Sequence, residues 1–261
     1  MEYAEELPLI HVGHSTKITE VSGAQNSVAL VTGANRGIGL EVARQLGRSG
    51  HVPIIGSRDR GQGVAAVERL AADGVAAEYV ELDVTDELAI HAAAEWIRRR
   101  YGHLDVLVNN AAIAVDDVPP SRLPVDAFRR TFETNVIGVF AVTTAMLPLL
   151  RAARAGRIVN LSSGSASLNL TSSANWPAEW NAAAYPSSKS AVNALTVQFA
   201  TELRGTAVKV NAVDPGYTRT GMSPGATRTA AEAAAVVLRF ATLRADGPTG
   251  GFFNADGPIP W

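Results

Sequence analysis

From Ser27 onward the hydrophobic positions alternate between two kinds of run. Short, nearly continuous apolar stretches rich in β-branched residues occur at 27–31 (SVALV), 52–57, 76–82, 104–108, 157–162, 208–213 and 250–254. Such runs suit strands buried on both faces of a parallel sheet. Between them lie longer segments with helical spacing at 38–50, 63–74, 87–102, 191–203 and 229–243, and one or two helices within 125–155. In the first of these, Ile38, Val42 and Leu46 share a face. Basic residues close the helix at 87–102 and Gly74 follows the helix before it, both ordinary stop signals. The alternation predicts an α/β fold with a Rossmann-like, doubly wound, seven-stranded parallel sheet and helices on both faces. A closed (β/α)₈ barrel would need one more strand than the pattern supplies. Residues 1–26 show no period. They read as an N-terminal extension, free of the body or packed on it through Leu7, Leu9, Ile10 and Val12, with residues 27–261 forming one catalytic domain.

Composition narrows the class. A chain of 261 residues with 47% hydrophobic content has material for one large core. A net charge of −2 with no basic stripe gives no support for a nucleic-acid partner. The absence of cysteine excludes disulfides and thiolate metal sites. His11, His14, His51, His91 and His103 show no metal-ligand spacing, and Asp116–Asp117 read as a solvated loop rather than a metal pair. The acidic N-terminus is unlike a signal peptide, and no uninterrupted apolar stretch has the length of a membrane span. A soluble, cytoplasmic protein with no membrane partner is expected.

Two features carry chemistry. The segment TGANRGIG (32–39) places Gly33, Gly37 and Gly39 between a strand and a helix. Glycines there allow a tight turn and close approach of backbone N–H groups to a pyrophosphate, at the positive end of the helix. In AAYPSSKSA (183–191), Tyr185 and Lys189 stand one helical turn apart and share a face.

The TGxxxGxG spacing together with Tyr-x-x-x-Lys resembles the short-chain dehydrogenase/reductase family, in its carbonyl-reductase-like branch. The resemblance covers about residues 27–257 and extends to LDVLVNNAAIA (104–114), to Asn135 in TFETNVIG, to Ser162–Ser163 in RIVNLSS, and to DPGYTRT (214–220). SRDRGQ (57–62) and GPIPW (257–261) also look like that branch. Ala112 stands where the family usually has glycine. The family implies hydride transfer between nicotinamide and a carbonyl or alcohol. Tyr185 would be the general acid and Ser163 would orient the carbonyl. Lys189 would lower the tyrosine pKa and hold the ribose, and Asn135 would belong to the proton relay. Ser162 would serve the backbone at the strand end. By the same resemblance the cofactor contacts are Gly33, Asn35, Arg36, Gly37, Ile38, Gly39, Arg58, Asp83, Val84, Asn110, Tyr185, Lys189, Pro215, Gly216 and Thr218. For Asp83 a role at a helix N-terminus is the bland alternative, and both can hold.

The cofactor expected is NADP(H). An NAD site usually has an acid after the second strand, and here that position is Ser57, followed by Arg58, with Arg36 in the glycine turn and Arg60 close behind. Asp59 is the counter-evidence. Residues 164–184 exceed the family's usual gap before the tyrosine. They would wall a substrate pocket, with Trp176, Trp180 and Tyr217 supplying apolar surface for bulky or aromatic carbonyls, or cover a helix face that relatives use to associate. A homo-oligomer and a monomer both stay open. The rival functions are an NAD-dependent alcohol dehydrogenase of the same family and a non-catalytic nucleotide-binding scaffold.

Overall fold

In the computed structural model the described residues are 27–116, 118–177 and 180–261. The extension 1–26 and Asp117 lie outside them. Each apolar run becomes a strand: β1 (Ser27–Thr32), β2 (His51–Ser57), β3 (Glu78–Glu81), β4 (Val106–Asn109), β5 (Arg157–Leu161), β6 (Lys209–Val213) and β7 (Phe252–Phe253). They form one parallel sheet in the order β3-β2-β1-β4-β5-β6-β7. The helices are α1 (Gly37–Arg48), α2 (Arg60–Ala72), α3 (Glu87–Tyr101), α4 (Val125–Phe132), α5 (Gly138–Ala152), α6 (Leu168–Thr171), α7 (Ala184–Glu202) and α8 (Ala230–Ala241).

Strand alternation divides the core into two layers. Ala29 and Val31 of β1 face a cluster built with Val42 and Leu46 of α1, Leu70 of α2 and Val237 and Phe240 of α8. Val28 and Leu30 face the opposite cluster, with Ile90 and Ile97 of α3, Met146 and Leu150 of α5 and Phe199 of α7. Ile38 packs against the first cluster only partly buried. Burying both faces of a strand is why these runs carry no polar alternation.

The segment 125–155 resolves into α4 and α5 joined by a π-helical turn, Glu133–Ile137. The continuous helix Val125–Ala152 is, by length and composition, apolar enough to cross a membrane: its most apolar 18-residue window has a mean hydropathy of 1.5. The apolar stretch is interrupted by polar residues, as the sequence indicated. Half of that window is buried, and the helix's buried residues include Val142, Met146 and Leu150. A core-facing stripe therefore explains its hydropathy.

Strand order reverses direction between β1 and β4, and in open parallel sheets ligands bind at such a crevice beyond the strand ends. Asn109 and Asn160 are Cα partners near the ends of β4 and β5. The Asn109 amide donates to Asn160 Oδ1 at 2.8 Å and to Thr143 Oγ1 at 3.0 Å, and Asn160 Nδ2 donates to Thr196 Oγ1 at 2.9 Å. This buried polar line ties both central strands to α5 and α7 directly beneath the crevice.

Candidate active site

A cleft of about 510 Å³ runs along the carboxyl ends of the strands. Gly33 and Gly37 take φ of +64° and +59°, values that a side chain resists. A Cβ at Gly33 would come within 3.0 Å of Ala111 Cα, and one at Gly39 within 2.5 Å of Asn110 Nδ2. Asn110 closes the turn from β4, donating to Thr32 O at 2.8 Å and Gly33 O at 3.2 Å. Where α2 and α3 have aspartate caps, Asp59 and Asp86, the start of α1 at Arg36 has no side-chain cap. The first amides of α1 therefore face the cleft with no side chain competing for them. A narrow glycine turn, uncapped amides and an elongated cleft fit a dinucleotide pyrophosphate.

Most of the cofactor contacts expected from sequence line this cleft: Gly33, Asn35, Arg36, Gly37, Ile38, Arg58, Asp83, Val84, Asn110, Tyr185, Lys189 and Pro215. Gly39, Gly216 and Thr218 do not. Gly39 is buried beneath the turn, where it admits the Asn110 amide. Gly216 lies under the Arg228 guanidinium, and Thr218 is buried with its hydroxyl donating to Gly216 O at 2.8 Å, so these two shape the loop after β6. Thr220, Gly221 and Met222 line the cleft in their place. Arg60 does not line it. Asp59 lines the cleft beside Arg58, and its Oδ1 accepts from Gln62 N at 2.8 Å as the cap of α2. Asp83 accepts from the backbone and hydroxyl of Thr85, while the cap of α3 is Asp86.

Tyr185 and Lys189 line the cleft; Ser163 stands beside the phenol, while its neighbour Ser162 is the serine on the cleft lining. Lys189 is buried, and its Nζ donates to Leu161 O at 2.7 Å and lies 5.7 Å from the Tyr185 ring centre. Ser163 Oγ is close enough to the phenol to draw its pKa down and pairs with Ser165 Oγ at 3.0 Å. The electrostatics differ from the expectation that Lys189 lowers the tyrosine. Burial, reinforced by the Asp214 carboxylate, pushes Tyr185 up to about 12, against a downward pull from Ser163. Burial pushes Lys189 down to about 8. The ammonium is directed at a strand carbonyl, and Asp214 contributes a field of opposite sign.

Asn135 sits in the π turn, fully buried. Its amide donates to Ile113 O at 2.9 Å and to Ser188 Oγ at 3.0 Å, and its Oδ1 accepts from Ile113 N at 2.8 Å. Both amide protons are thus committed to protein partners. Ser162 also departs from expectation: its hydroxyl binds Asn193 Oδ1 at 2.7 Å, anchoring the end of β5 to α7 rather than serving its own strand.

Sequence reasoning missed Asp116. Its carboxylate accepts from Ala184 N at 3.0 Å and from Tyr185 N at 2.6 Å, so it caps the helix that carries the tyrosine. It is not a solvated loop residue, and its partner in the sequence, Asp117, lies outside the described residues.

The insertion lies against the first turn of α7, leaving a cavity of about 410 Å³ lined by Trp176, Trp180, Pro186 and Ser190. Trp176 and Trp180 meet edge to face at 5.4 Å, and Trp180 reaches Tyr217 of the loop after β6 at 6.1 Å.

A reversing parallel sheet, a glycine turn and a Tyr–Lys–Ser group at one cleft define a nucleotide-dependent oxidoreductase of Rossmann type. Residues 27–231 match the family described as short chain dehydrogenase, and the chain belongs to that family, in its carbonyl-reductase-like branch. It is 34% identical over 275 residues to Carbonyl reductase (NADPH) 1 of Homo sapiens, covering 90% of this chain and 98% of that one. Among solved structures, NADPH-bound carbonyl reductase from chicken fatty liver superposes with a TM-score of 0.79 at 28% identity, covering 90% of this chain and 99% of that one. A variant of actinorhodin polyketide ketoreductase with NADPH gives 0.78 at 30% identity, covering 88% and 94%. The protein is an NAD(P)-dependent oxidoreductase.

Proposed function

We propose that residues 27–261 act as one catalytic domain that reduces ketone or aldehyde carbonyls with NADPH. The observation that carries the reading is that Tyr185, with Ser163 beside its phenol, and Lys189 line the same cleft as Arg36 and Arg58. The nicotinamide cofactor, when bound, supplies the hydride. Reduction leaves negative charge on the carbonyl oxygen, and the site holds two hydroxyls for it. Ser163 Oγ orients the oxygen, and the Tyr185 phenol donates the proton. A phenol pushed up to about 12 stays protonated near neutral pH, which suits an acid in the reductive direction. Lys189 holds the ribose and supplies positive charge next to the phenol. Asn135 contributes to proton supply from the backbone of the π turn, since its amide protons are spent. Arg36 and Arg58 read the 2′-phosphate, for which a planar guanidinium is well shaped. The substrate is a small carbonyl compound, received against Trp176, Trp180 and Tyr217. No step needs a nucleic acid or a membrane, and the reading places the protein in the cytoplasm.

The test is turnover of a panel of aliphatic and aromatic ketones and aldehydes with NADPH, with Tyr185→Phe alongside. Wild type is expected to consume NADPH only when a carbonyl is present, and the variant to lose nearly all turnover while binding NADPH as wild type does. Near-normal turnover by the variant would remove Tyr185 as the acid. NADPH binding without turnover on any carbonyl or alcohol would favour the scaffold.

A further inference from the structure

Asp214 is a half-buried acid that the proposed reaction does not use. It follows β6, and its N–H donates to Phe253 O at 2.7 Å, fixing the residue at the end of β7. Its Oδ1 accepts from Gly216 N at 2.9 Å. Its other oxygen lies against Gly164, where a Cβ would meet it at 3.3 Å, and burial pushes the acid's pKa up against a downward pull from the backbone there. Gly164 directly follows Ser163, and Gly216 follows Pro215 of the cleft wall. One carboxylate therefore joins the turn that presents the serine to the turn that borders the cofactor cleft. The charged groups around the phenol come from three places: Asp214 from the end of β6, Lys189 from α7 itself, and Arg228, whose guanidinium bonds Pro215 O at 3.2 Å and faces Asp214 from behind. Asp116 touches the tyrosine only at its backbone N–H.

We propose that Asp214 is a positioning residue for carbonyl reduction: it locks the Ser163 turn to the Pro215–Gly216 turn and keeps negative charge facing the Tyr185 phenol, so that the acid holds its proton until an alkoxide forms. The proposal rests on the reading of the site as a carbonyl reductase. A carboxylate bound by the Gly216 amide on one oxygen and packed on Gly164 with the other holds a fixed position, and fixed charge acts strongly on a desolvated neighbour. The direction in which Asp214 moves Tyr185, upward, agrees with this placement.

Two variants separate the two jobs. Asp214→Asn removes the charge and keeps one acceptor; Asp214→Ala removes both acceptors. The acidic limb of the pH profile for alcohol oxidation with NADP⁺ reports deprotonation of Tyr185. It is expected to move down by about one pH unit in both variants, because both remove a like charge. Reductive kcat is expected to fall in both, and further in Asp214→Ala, because only that variant frees both turns. Circular dichroism and NADPH titration establish that each variant is folded. An unmoved limb in both folded variants overturns the proposal, as does equal reductive kcat in the variants and wild type. If wild type turns over no carbonyl or alcohol, the functional reading has failed on its own account. The phenolate titration of Tyr185, taken as the difference between each protein and its Tyr185→Phe counterpart, then decides. A lower midpoint in both variants supports the proposal, and an unchanged one overturns it.

Discussion

Replacing Asp116 by alanine tests whether the loop after β4 positions the tyrosine. The carboxylate satisfies two of the amides that a helix start leaves without partners, those of Ala184 and Tyr185, at 3.0 and 2.6 Å. Loss of a capping side chain costs about 1 kcal/mol. Loss of its negative charge at the positive end of α7 adds roughly 0.3–1 kcal/mol. The sum, about 1–2 kcal/mol, corresponds to a melting temperature lower by roughly 2–8 °C in a chain of this size. The effect on turnover should exceed the effect on folding. The unpinned residue is Tyr185 itself, and a displacement of about 1 Å at a reacting group can cost on the order of a hundredfold in rate. Asp116→Asn keeps one acceptor and should fall between wild type and alanine in both readings. Thermal melts followed by circular dichroism, together with kcat for a ketone that wild type accepts, measure the two effects. If the alanine variant melts and turns over as wild type does, the cap has no energetic role. If it melts lower with unchanged kcat, the cap is structural and does not position the acid.

Alanine at both Arg36 and Arg58 should remove most of the preference for NADPH over NADH, lowering NADPH affinity by roughly 10–100-fold for the loss of charge-assisted hydrogen bonds while NADH binding changes little; fluorescence titration of both cofactors checks it, and a preference that survives would assign the 2′-phosphate to other groups. Lys189, pushed down to about 8, is the site group that changes charge near neutrality, so reductive kcat/KM should fall as pH rises through about 8, and Lys189→Met should lose activity along with that fall. For stability the sign is opposite: the unfolded chain binds more protons than the native one between about 8 and the ordinary lysine value, so wild type gains stability as pH rises across that window. The melting advantage of Lys189→Met over wild type at pH 7 should therefore shrink by pH 10, and a difference independent of pH would show that burial does not strain the ammonium.

The regular elements were legible because a doubly wound sheet writes them as apolar runs and helical stripes; α1 and β5 follow the hydrophobic pattern to within a few residues. The glycine turn was legible because Gly33 and Gly37 act through their own backbone. Residues that act through distant partners were not. Asp116 looked like a loop acid because the amides it caps lie 68 and 69 positions further along. The spacing of Tyr185 and Lys189 gave their shared face, but not the direction of the tyrosine's pKa, because that is set first by burial in the assembled fold and then by Asp214 from another strand end. Ser162 looked like a strand-end residue until α7 brought Asn193 against it. The choice of Arg58 over Arg60 in SRDRGQ rested on the resemblance, and the placement of α2 puts only Arg58 on the cleft.

The polar line Asn109–Asn160–Thr196 beneath the cleft bears on how this protein can change over generations. Each member hydrogen-bonds inside the core, so replacing one by an apolar residue leaves its neighbour buried without a partner, at about 1–3 kcal/mol. Replacing the whole line, together with the Thr143 hydroxyl that Asn109 also binds, by apolar residues of matching shape carries no such penalty. The sequence between those two states is worse than either. Drift at these positions therefore proceeds by paired or tripled substitution, and a lineage that holds the line tends to keep it. What reads in one molecule as a brace under the active site is, across many descendants, a barrier that keeps the floor of the site polar.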